Sequence, residues 1–252
     1  MATDNCVLGI RDLEELRTLD LRKLRSCANS HLTTNECRHL LKVADAYFLH
    51  PGLLYPQIPH PQGYRMHLNG YTDFSTLFTM PNLCEIFGYQ MVEFVRWRNG
   101  AEKIDWIIGP AMTAMGFLPF MAKFLEARFW VVEKDPEGKL THWERFNILP
   151  GKKVLIASDV MTSAGGSAFE TKRAIAEKNP CCVTFLPFSA VIMMHSLCPL
   201  LEDGTPVVFC HKLPEIKVYN PDDCPLCQAG SEPLRPKNRN NREKLLSYMH
   251  GV

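Results

Sequence analysis

The stretch Lys152–Ile175, KKVLIASDVMTSAGGSAFETKRAI, decides the fold and the candidate site. Apolar residues lead into Asp159, a turn of small residues follows, and a helical pattern begins after the turn. This order predicts a buried strand, a turn and a helix. Such a turn presents backbone N–H groups and hydroxyls at the positive end of a helix dipole, so we expect it to bind an anion. The residues expected around the anion are Thr162, Ser163, Ala164, Gly165, Gly166 and Ser167.

Asp159 stands just before this turn, where a carboxylate would repel a phosphate but accept hydrogen bonds from sugar hydroxyls. An anion-binding turn next to a carboxylate suits a ribose 5-phosphate. The turn has neither the Gly-Lys-Ser/Thr of a nucleoside-triphosphate loop nor the Gly-x-Gly-x-x-Gly of a dinucleotide fold. Taken alone, the stretch is equally consistent with a tightly packed turn that binds no ligand.

Strand and helix patterns alternate on both sides of this stretch. Strands are predicted at 104–108 and in ARFWVVEK, CCVTFLPFSAVI and PVVFCHKL, and helices in PNLCEIFGYQMVEFVRWR and after Gly109-Pro110. This alternation predicts an α/β fold with a mainly parallel, doubly wound sheet, whose sites lie at the carboxyl ends of strands.

Three parts are predicted along the chain: a helical N-terminal extension at 1–50, the α/β domain at 51–230 and a basic C-terminal tail at 231–252. Residues 10–50 are expected to be helical because leucines recur at three- and four-residue steps. The boundary is the irregular segment HPGLLYPQIPHPQGY, with four prolines and two glycines. The tail carries five basic residues from Arg235 to Lys244, and we expect it to be solvated apart from a short terminal helix.

Composition limits the classes of function. The chain has 252 residues, 46% hydrophobic and 22% charged, which is enough to bury a core. Its net charge of +1 gives no electrostatic reason to expect nucleic acid as the main ligand. We find no apolar run long enough for a membrane span and no secretory signal pattern, so we expect a soluble, cytoplasmic protein without a membrane partner.

The ten cysteines are scattered, and without a secretory signal we expect reduced thiols. Cys224 and Cys227, in the sequence CPLC, have the spacing of metal ligands. A structural zinc site needs four ligands, so a second pair would have to come from elsewhere in the chain. A plain structural turn is the favoured interpretation, and zinc is the alternative.

Four segments, in order, resemble type I phosphoribosyltransferases, and among these most closely the orotate phosphoribosyltransferases. The segment VLIASDVMTSAGGSAFET resembles the signature for phosphoribosyl pyrophosphate (PRPP), and DWIIGPAMTAMGFLPFMAKFL resembles a strand that ends in Gly-Pro-Ala before a helix. The third segment, from ARFWVVEK to VLIASD, resembles the next strand and the mobile loop. The fourth, YNPDDCPLCQAGSEPLRPKN, is similar to the end of one bacterial and archaeal branch, in which Cys-Pro-Leu-Cys recurs. Together they span roughly residues 64–238.

The resemblance implies transfer of ribose 5-phosphate from PRPP to a nitrogen of orotate, with release of pyrophosphate and with magnesium bridging the substrate. It also implies a homodimer, because the mobile loop of the family reaches the neighbouring subunit's site. Catalysis is assigned by this resemblance to Asp159 and Lys134. PRPP binding is assigned to Gly109, Pro110, Ala111, Ser158, Asp159, Lys139, Arg145 and the six residues of the turn. Phe74 and Thr72 are assigned to the base, and Asp159 to indirect contact with magnesium.

Several positions depart from the pattern of the family. Ser158 stands where the first residue of an acidic pair is expected, and the loop TSAGGS is one residue longer than usual. Acidic residues in the mobile loop offset the charge of its cations. Near the expected base site, Tyr71 stands where the family usually has a basic residue. The alternative hypothesis is therefore a catalytically impaired member, retained as a nucleotide-binding regulator or as a structural subunit of a larger assembly.

Overall fold

The structure is a computed structural model that describes residues 7–26, 31–63, 66–100, 102–110, 112–134, 140–143, 145–162, 165–236 and 238–248. At positions 25, 26, 134 and 140–142 it describes the backbone alone.

Helices and strands alternate through most of the described chain. The helices are α1 (Leu13–Leu16), α2 (Leu21–Ser26), α3 (Thr34–Val43), α4 (Pro81–Asn99), α5 (Leu118–Leu125), α6 (Gly166–Lys178), α7 (Pro225–Gln228) and α8 (Arg239–Ser247). The strands are β1 (Tyr47–Leu49), β2 (His60–Pro61), β3 (His67–Leu68), β4 (Gly70–Thr72), β5 (Trp106–Pro110), β6 (Arg128–Lys134), β7 (Leu140–His142), β8 (Lys153–Met161), β9 (Thr184–Met194), β10 (Val207–Lys212), β11 (Val218–Tyr219) and β12 (Pro233–Leu234). Short 3-10 turns lie at Leu77–Thr79, Met112–Gly116 and Pro221–Asp223.

The central sheet has the strand order β10-β9-β8-β5-β6-β7. Its strands run parallel except at the edge, where β7 pairs antiparallel with β6. The predicted α/β fold with a mainly parallel sheet is therefore confirmed. From β5 the chain moves to β6 and β7 on one side, and then adds β8, β9 and β10 on the other side of β5. The crevice at the carboxyl ends of β5 and β8 is thus the topological switch point, where ligands bind in open α/β sheets.

Helices cover both faces of this sheet because its buried strands are apolar on both sides. Ile107 and Leu155 point into the larger core together with α4 and α5, whereas Ile108 and Ile156 point into a second core under α6. Successive strand residues alternate between the faces, so adjacent isoleucines serve different cores. Each such side chain, when fully buried, contributes roughly 1.5–3 kcal/mol of transfer free energy.

The N-terminal helices pack into the larger core of the sheet. The expected continuous helix from residue 10 is broken into α1 and α2, because the Asp20 carboxylate accepts the Lys23 N–H at 2.8 Å and starts a new helix. The side-chain amide of Asn82, on α4, donates to the Leu16 and Leu19 carbonyls and fixes this segment on the sheet domain.

The helical prediction for 10–50 is corrected at its end, where Tyr47–Leu49 forms β1 and pairs antiparallel with β4. Helix α3 ends before it at Ala44, and Asp45 adopts the left-handed conformation with φ 49°. This turn reverses the chain. The boundary at residue 50 therefore follows a strand that already contacts the rest of the molecule.

The C-terminal segment returns to the start of the α/β region. Strand β11 pairs with β3 and β12 pairs with β2, and the predicted terminal helix is present as α8. Leu245 on α8 is 2% exposed and packs with Phe48 and Ile58. The expectation of a solvated tail is thus corrected for these residues, because apolar contacts and strand pairing fix them on the domain. Across the described ranges, none of the helices has the length and apolar character needed to cross a membrane.

Candidate functional site

The carboxyl ends of β5 and β8 lie side by side, as the sequence predicts for the two informative turns. A side chain on Gly109 would place its Cβ 2.5 Å from Ala114 Cβ and 2.8 Å from the Ala157 carbonyl oxygen. Glycine therefore permits the close approach of the two strands at this point. Pro110 ends β5, and Ala111, which follows, lies outside the described residues.

Asp159 lies within β8, which continues for two residues beyond it to Met161. The Ser158 hydroxyl is buried and donates to Asp159 Oδ1 at 3.2 Å. Ser158 thus supplies no charge, and it orients the carboxylate that follows. Asp159 is half-buried at the switch point, where a carboxylate can accept hydrogen bonds from a hydroxylated ligand.

The turn after β8 opens α6 with glycines. Gly165 has φ 71°, the left-handed conformation that favours glycine, and a Cβ there would overlap Leu201 Cδ2. Gly166, the first helical residue, has open space, with Glu202 Oε1 3.9 Å from the position of a Cβ. Thr162 and Ser167 flank the turn; Thr162 is half-buried and Ser167 is exposed. Ser163 and Ala164 lie outside the described residues. The N-terminus of α6 is therefore formed as predicted, with a carboxylate beside it.

A segment between β9 and β10 places Leu201 and Glu202 against this turn. Lys172, on α6, is paired with the Asp203 carboxylate and donates to Thr205 Oγ1 at 2.8 Å. Burial acts to raise the pKa of Asp203, but the hydrogen bonds from Lys172 and Thr205 outweigh it and lower the pKa to about 2. The segment is thus tied to α6 by a partly buried ion pair.

Of the three predicted loop cations, Arg145 is the one whose side chain the structure describes. Lys134 is the last residue of β6, its side chain is not described, and Lys139 lies outside the described residues. Arg145 Nε pairs with Glu133 Oε1 at 2.9 Å. Trp143, between them in the chain, is buried in the second core and anchors this end of the loop. Arg145 is mostly exposed, so the ion pair can exchange for an anionic ligand.

The two residues predicted to contact a base are both occupied by protein contacts. Phe74 is 0% exposed, and its ring packs against Phe78 at 5.6 Å and edge-on against Phe87 at 5.3 Å. The stacking predicted for Phe74 is corrected, because no face of the ring is open to a ligand. Thr72 is buried, and its Oγ1 is 2.8 Å from His195 Nε2. Thr72 therefore holds β4 against the end of β9.

A cavity of about 420 Å³ opens beside Phe78, next to the carboxyl end of β5. Its lining residues are Ser75, Phe78, Met112, Thr113, Met115 and Gly116. Gly116 permits the contact with Phe78, since a Cβ there would lie 2.5 Å from Phe78 Cβ. Met112 is 77% exposed at the rim. The sequence does not predict this cavity, because a 3-10 turn, not a strand end, supplies most of its wall.

Two further residues without a predicted role adjoin the switch point. His195 is 2% exposed, and its backbone N–H donates to the Met161 carbonyl at 2.8 Å. Burial lowers the pKa of His195 to about 4, against a small opposing effect of Glu215, so the ring is neutral at pH 7. Burial raises the pKa of Tyr71, and the carboxylates of Asp73 and Asp159 raise it further. Tyr71 is therefore a neutral phenol at pH 7, where the resemblance implied a cation.

Comparison with known proteins identifies the relatives of the chain. No protein-family model matches it. The orotate phosphoribosyltransferase of a Nitratiruptor species is 28% identical over 186 residues, which covers 69% of this chain and 88% of the relative. The enzyme of the same name from Thermotoga petrophila is 28% identical over 175 residues, covering 69% of this chain and 86% of the relative. The chain is therefore similar to these orotate phosphoribosyltransferases over about two thirds of its length, at low identity.

The chain also has neighbours among solved structures. Orotate phosphoribosyltransferase from Aeropyrum pernix matches with a TM-score of 0.47 and 18% identity, over 69% of this chain and 92% of that chain. Adenine phosphoribosyltransferase from Saccharomyces cerevisiae matches with a TM-score of 0.43 and 22% identity, over 56% of this chain and 86% of that chain. The resemblance predicted from the sequence is confirmed by the curated relatives.

Proposed function

We propose that the protein is a phosphoribosyltransferase that transfers ribose 5-phosphate from PRPP to orotate or a closely related pyrimidine. One observation carries the proposal: the carboxylate of Asp159 and the glycine-opened N-terminus of α6 lie on one strand-turn-helix unit, beside the Gly109 turn of β5. A sugar phosphate needs both a carboxylate for its hydroxyls and N–H groups for its phosphate, and this unit offers both.

In the proposed reaction a ring nitrogen of the base, having lost its proton, bonds to the anomeric carbon. The bond from that carbon to pyrophosphate breaks, and pyrophosphate leaves with the electron pair. Positive charge develops on the ribose ring, so the site must neutralise the leaving group and hold the base in line. Asp159 would hold the ribose hydroxyls, and Lys134, Lys139 and Arg145 would approach the pyrophosphate from the loop.

The donor set of the switch point fits magnesium that arrives with its substrate. Mg²⁺ is usually held by one or two carboxylates together with substrate phosphates and water. Asp159 is the single carboxylate of the pair at 158–159, because Ser158 is uncharged. Asp159 would therefore lie near a Mg²⁺ that is bound mainly by PRPP. The ion would offset the charge of the pyrophosphate.

The base is proposed to enter the cavity lined by Ser75, Met112 and Thr113. It lies beside the turn after β5 and provides hydroxyl groups next to an apolar wall. Small-molecule pockets commonly combine an apolar wall with a few polar groups that set orientation. This location replaces the assignment to Phe74, whose ring is covered.

Purified protein mixed with PRPP, Mg²⁺ and orotate tests the proposal, with orotate loss followed by absorbance and pyrophosphate measured separately. We expect both signals to change in equal amounts, and adenine to give none. The catalytic proposal would be contradicted if PRPP binds in calorimetry but neither orotate nor another pyrimidine is consumed.

Light scattering tests the associated proposal of a homodimer, and cell fractionation tests a cytoplasmic location.

Two observations favour a second candidate, a nucleotide-binding regulator or structural subunit with impaired catalysis. Ser158 leaves Asp159 without a second acidic residue, and the Glu202 carboxylate lies at the N-terminus of α6, where it would oppose an arriving phosphate. The variant Ser158→Asp distinguishes the candidates. Turnover by the native chain supports the enzyme, whereas turnover that appears only in Ser158→Asp supports the impaired site.

A further inference from the structure

Four side chains with metal-binding atoms come together in space, although they come from two distant parts of the sequence. They are His60, His67, Cys224 and Cys227. Their ligand atoms all lie within 4.8 Å of one another. We call these four residues the Cys/His cluster. His60 lies on β2, His67 on β3, Cys224 caps α7 and Cys227 lies on it. We propose that the Cys/His cluster is a structural zinc site, which is independent of the proposed function.

Four of the six distances within the Cys/His cluster lie near those of a tetrahedral zinc site, within about 0.4 Å. With metal–nitrogen bonds of about 2.0–2.1 Å and metal–sulfur bonds of about 2.3 Å, two nitrogens lie about 3.3 Å apart and a nitrogen and a sulfur about 3.6 Å apart. His60 Nε2 lies 3.3 Å from His67 Nδ1. The sulfurs of Cys224 and Cys227 lie 3.7 and 3.6 Å from His60 Nε2, and Cys227 Sγ lies 3.2 Å from His67 Nδ1. One ion at the centre can therefore reach all four atoms.

A hydrogen-bond chain fixes the His60 ring as a metal ligand. The Ser231 hydroxyl donates its single proton to the Ile58 carbonyl at 2.7 Å. Its oxygen must therefore accept from His60 Nδ1, which is 2.8 Å away. With the proton on Nδ1, the lone pair of Nε2 points at the other three ligands. Metal-bound histidines are commonly oriented by such a second partner.

Charge and burial also favour a divalent ion. His60, His67 and Cys224 are buried, and Cys227 is partly buried. Zinc binding would release the two thiol protons, and two thiolates with two neutral imidazoles balance the charge of Zn²⁺. An uncompensated charge is thereby avoided in the interior. Four protein ligands leave no open position, so the site is structural and not catalytic. Two sulfurs and two nitrogens in a tetrahedron suit zinc, whereas an iron–sulfur cluster is held mainly by thiolates.

The proposed ion joins two distant parts of the chain. Cys227 and His67 are separated by 160 positions. Around them, β2 pairs with β12 and β3 pairs with β11, in strands of only two residues each. Such short strands are weak by themselves. Strand β3 leads directly into β4, which carries Thr72 and its contact with His195. The zinc would thus hold the strand that borders the switch point.

The native protein tests the proposal without any mutation. After growth and purification with zinc and without chelator, elemental analysis should find one zinc ion per chain. A mercurial that modifies thiols should release this zinc, detected with a zinc-sensitive dye, in proportion to the modification of two thiols. Co²⁺ exchanged into the protein should give the visible absorption of a tetrahedral site with thiolate ligands.

Variants assign the ion to the Cys/His cluster. Cys224→Ser and Cys227→Ser should each reduce bound zinc at least tenfold and lower the midpoint of thermal unfolding by about 10 °C. Cys182→Ser, at an exposed cysteine, should change neither. If the two cluster variants do not fold, the release experiment on the native chain decides. The proposal is overturned if the native chain lacks zinc, if mass analysis shows a disulfide between Cys224 and Cys227, or if both serine variants keep their zinc.

Discussion

The carboxyl edge of the sheet and the Cys/His cluster are built in opposite ways. At the sheet edge, Ser158, Asp159 and the glycines of the turn follow each other within ten positions, on one strand-turn-helix unit. In the cluster, two histidines from the start of the α/β region meet two cysteines from its end. A local unit leaves its pattern in consecutive residues. A site assembled from distant segments leaves two fragments, each of which is ambiguous alone.

The two regions also differ in the space that they leave for a ligand. The sheet edge keeps room for a ligand, with an open helix N-terminus and a cavity beside it. The cluster is closed, and its ligand atoms surround a space that fits a single ion. We therefore expect changes at the edge to alter activity and changes in the cluster to alter stability.

The largest expected effect separates these two properties. Asp159→Asn keeps the shape of the side chain but removes the charge that would hold the ribose hydroxyls, so we expect kcat/KM to fall about 100-fold. The midpoint of thermal unfolding and the zinc content should stay unchanged. Steady-state assays, thermal unfolding and elemental analysis of the same preparation measure the three quantities.

Asp222→Asn, at an exposed position before α7, is the matched control and should leave all three quantities unchanged. Cys224→Ser should show the reverse pattern, with a large loss of stability and a smaller loss of activity at low temperature. A joint loss of stability and activity in Asp159→Asn would show that the two regions are coupled.

The next effect comes from two neighbouring glycines in the turn. Gly165→Ala should reduce the free energy of unfolding by about 2–4 kcal/mol, because φ is positive there and the new methyl group would overlap Leu201. Gly166→Ala should change it by less than about 0.5 kcal/mol, since its surroundings are open. Urea denaturation of both variants measures the difference. Equal losses would mean that the turn has a different conformation in solution.

The smallest effect is a pH dependence at the sheet edge. His195 has a pKa of about 4 in the folded protein and an ordinary value of 6.5. Between these values the unfolded chain binds a proton that the folded protein excludes, so stability is complete above pH 6.5 and falls as the pH is lowered toward 4. His195→Gln keeps a polar group near Thr72 and removes the titration.

We expect the variant to lose about 1–2 kcal/mol less stability than the native chain between pH 7 and pH 5. Urea denaturation at both pH values measures this. A remaining loss is expected, because burial also lowers the pKa of His211 to about 4. If native and variant proteins lose stability equally, His195 is protonated in the folded protein as readily as in the unfolded chain.

Much of the fold could be predicted because the central strands have largely apolar middles and are separated by clear turns. The predicted strands near 104–108 and in ARFWVVEK correspond to β5 and β6. Strand β8 extends two residues beyond the expected end at Asp159, since its last residues still pair with β9. Periodicity marks buried elements well, but it does not mark where hydrogen bonding to a neighbour ends.

The candidate site was less predictable than the fold. The positions of Asp159, Gly109 and Gly165 follow from local sequence, and the structure brings them to one edge. Phe74 was assigned to the base by the resemblance, but three neighbouring aromatic rings share the core there. Exposure of an aromatic residue depends on which helix covers it, and that is a tertiary property.

The Cys/His cluster shows the same limit for metal sites. The pair Cys224 and Cys227 has a recognisable spacing, but His60 and His67 lie in an irregular proline-rich segment that indicates only a connector. Their relation to the cysteines depends on β2 meeting β12 and β3 meeting β11. Pairing between segments more than 140 positions apart leaves no periodic signal in the sequence.

The pairings of β2 with β12 and of β3 with β11 also bear on the order of folding. The paired strands are so distant along the chain that a long loop must be closed, at a cost in chain entropy, before their contacts can form. In contrast, β8, α6 and β9 are consecutive. We expect the parallel sheet to assemble first and the two-stranded pairings to close last. Amide hydrogens of β3 and β12 should accordingly exchange with solvent through partial openings, long before those of β8.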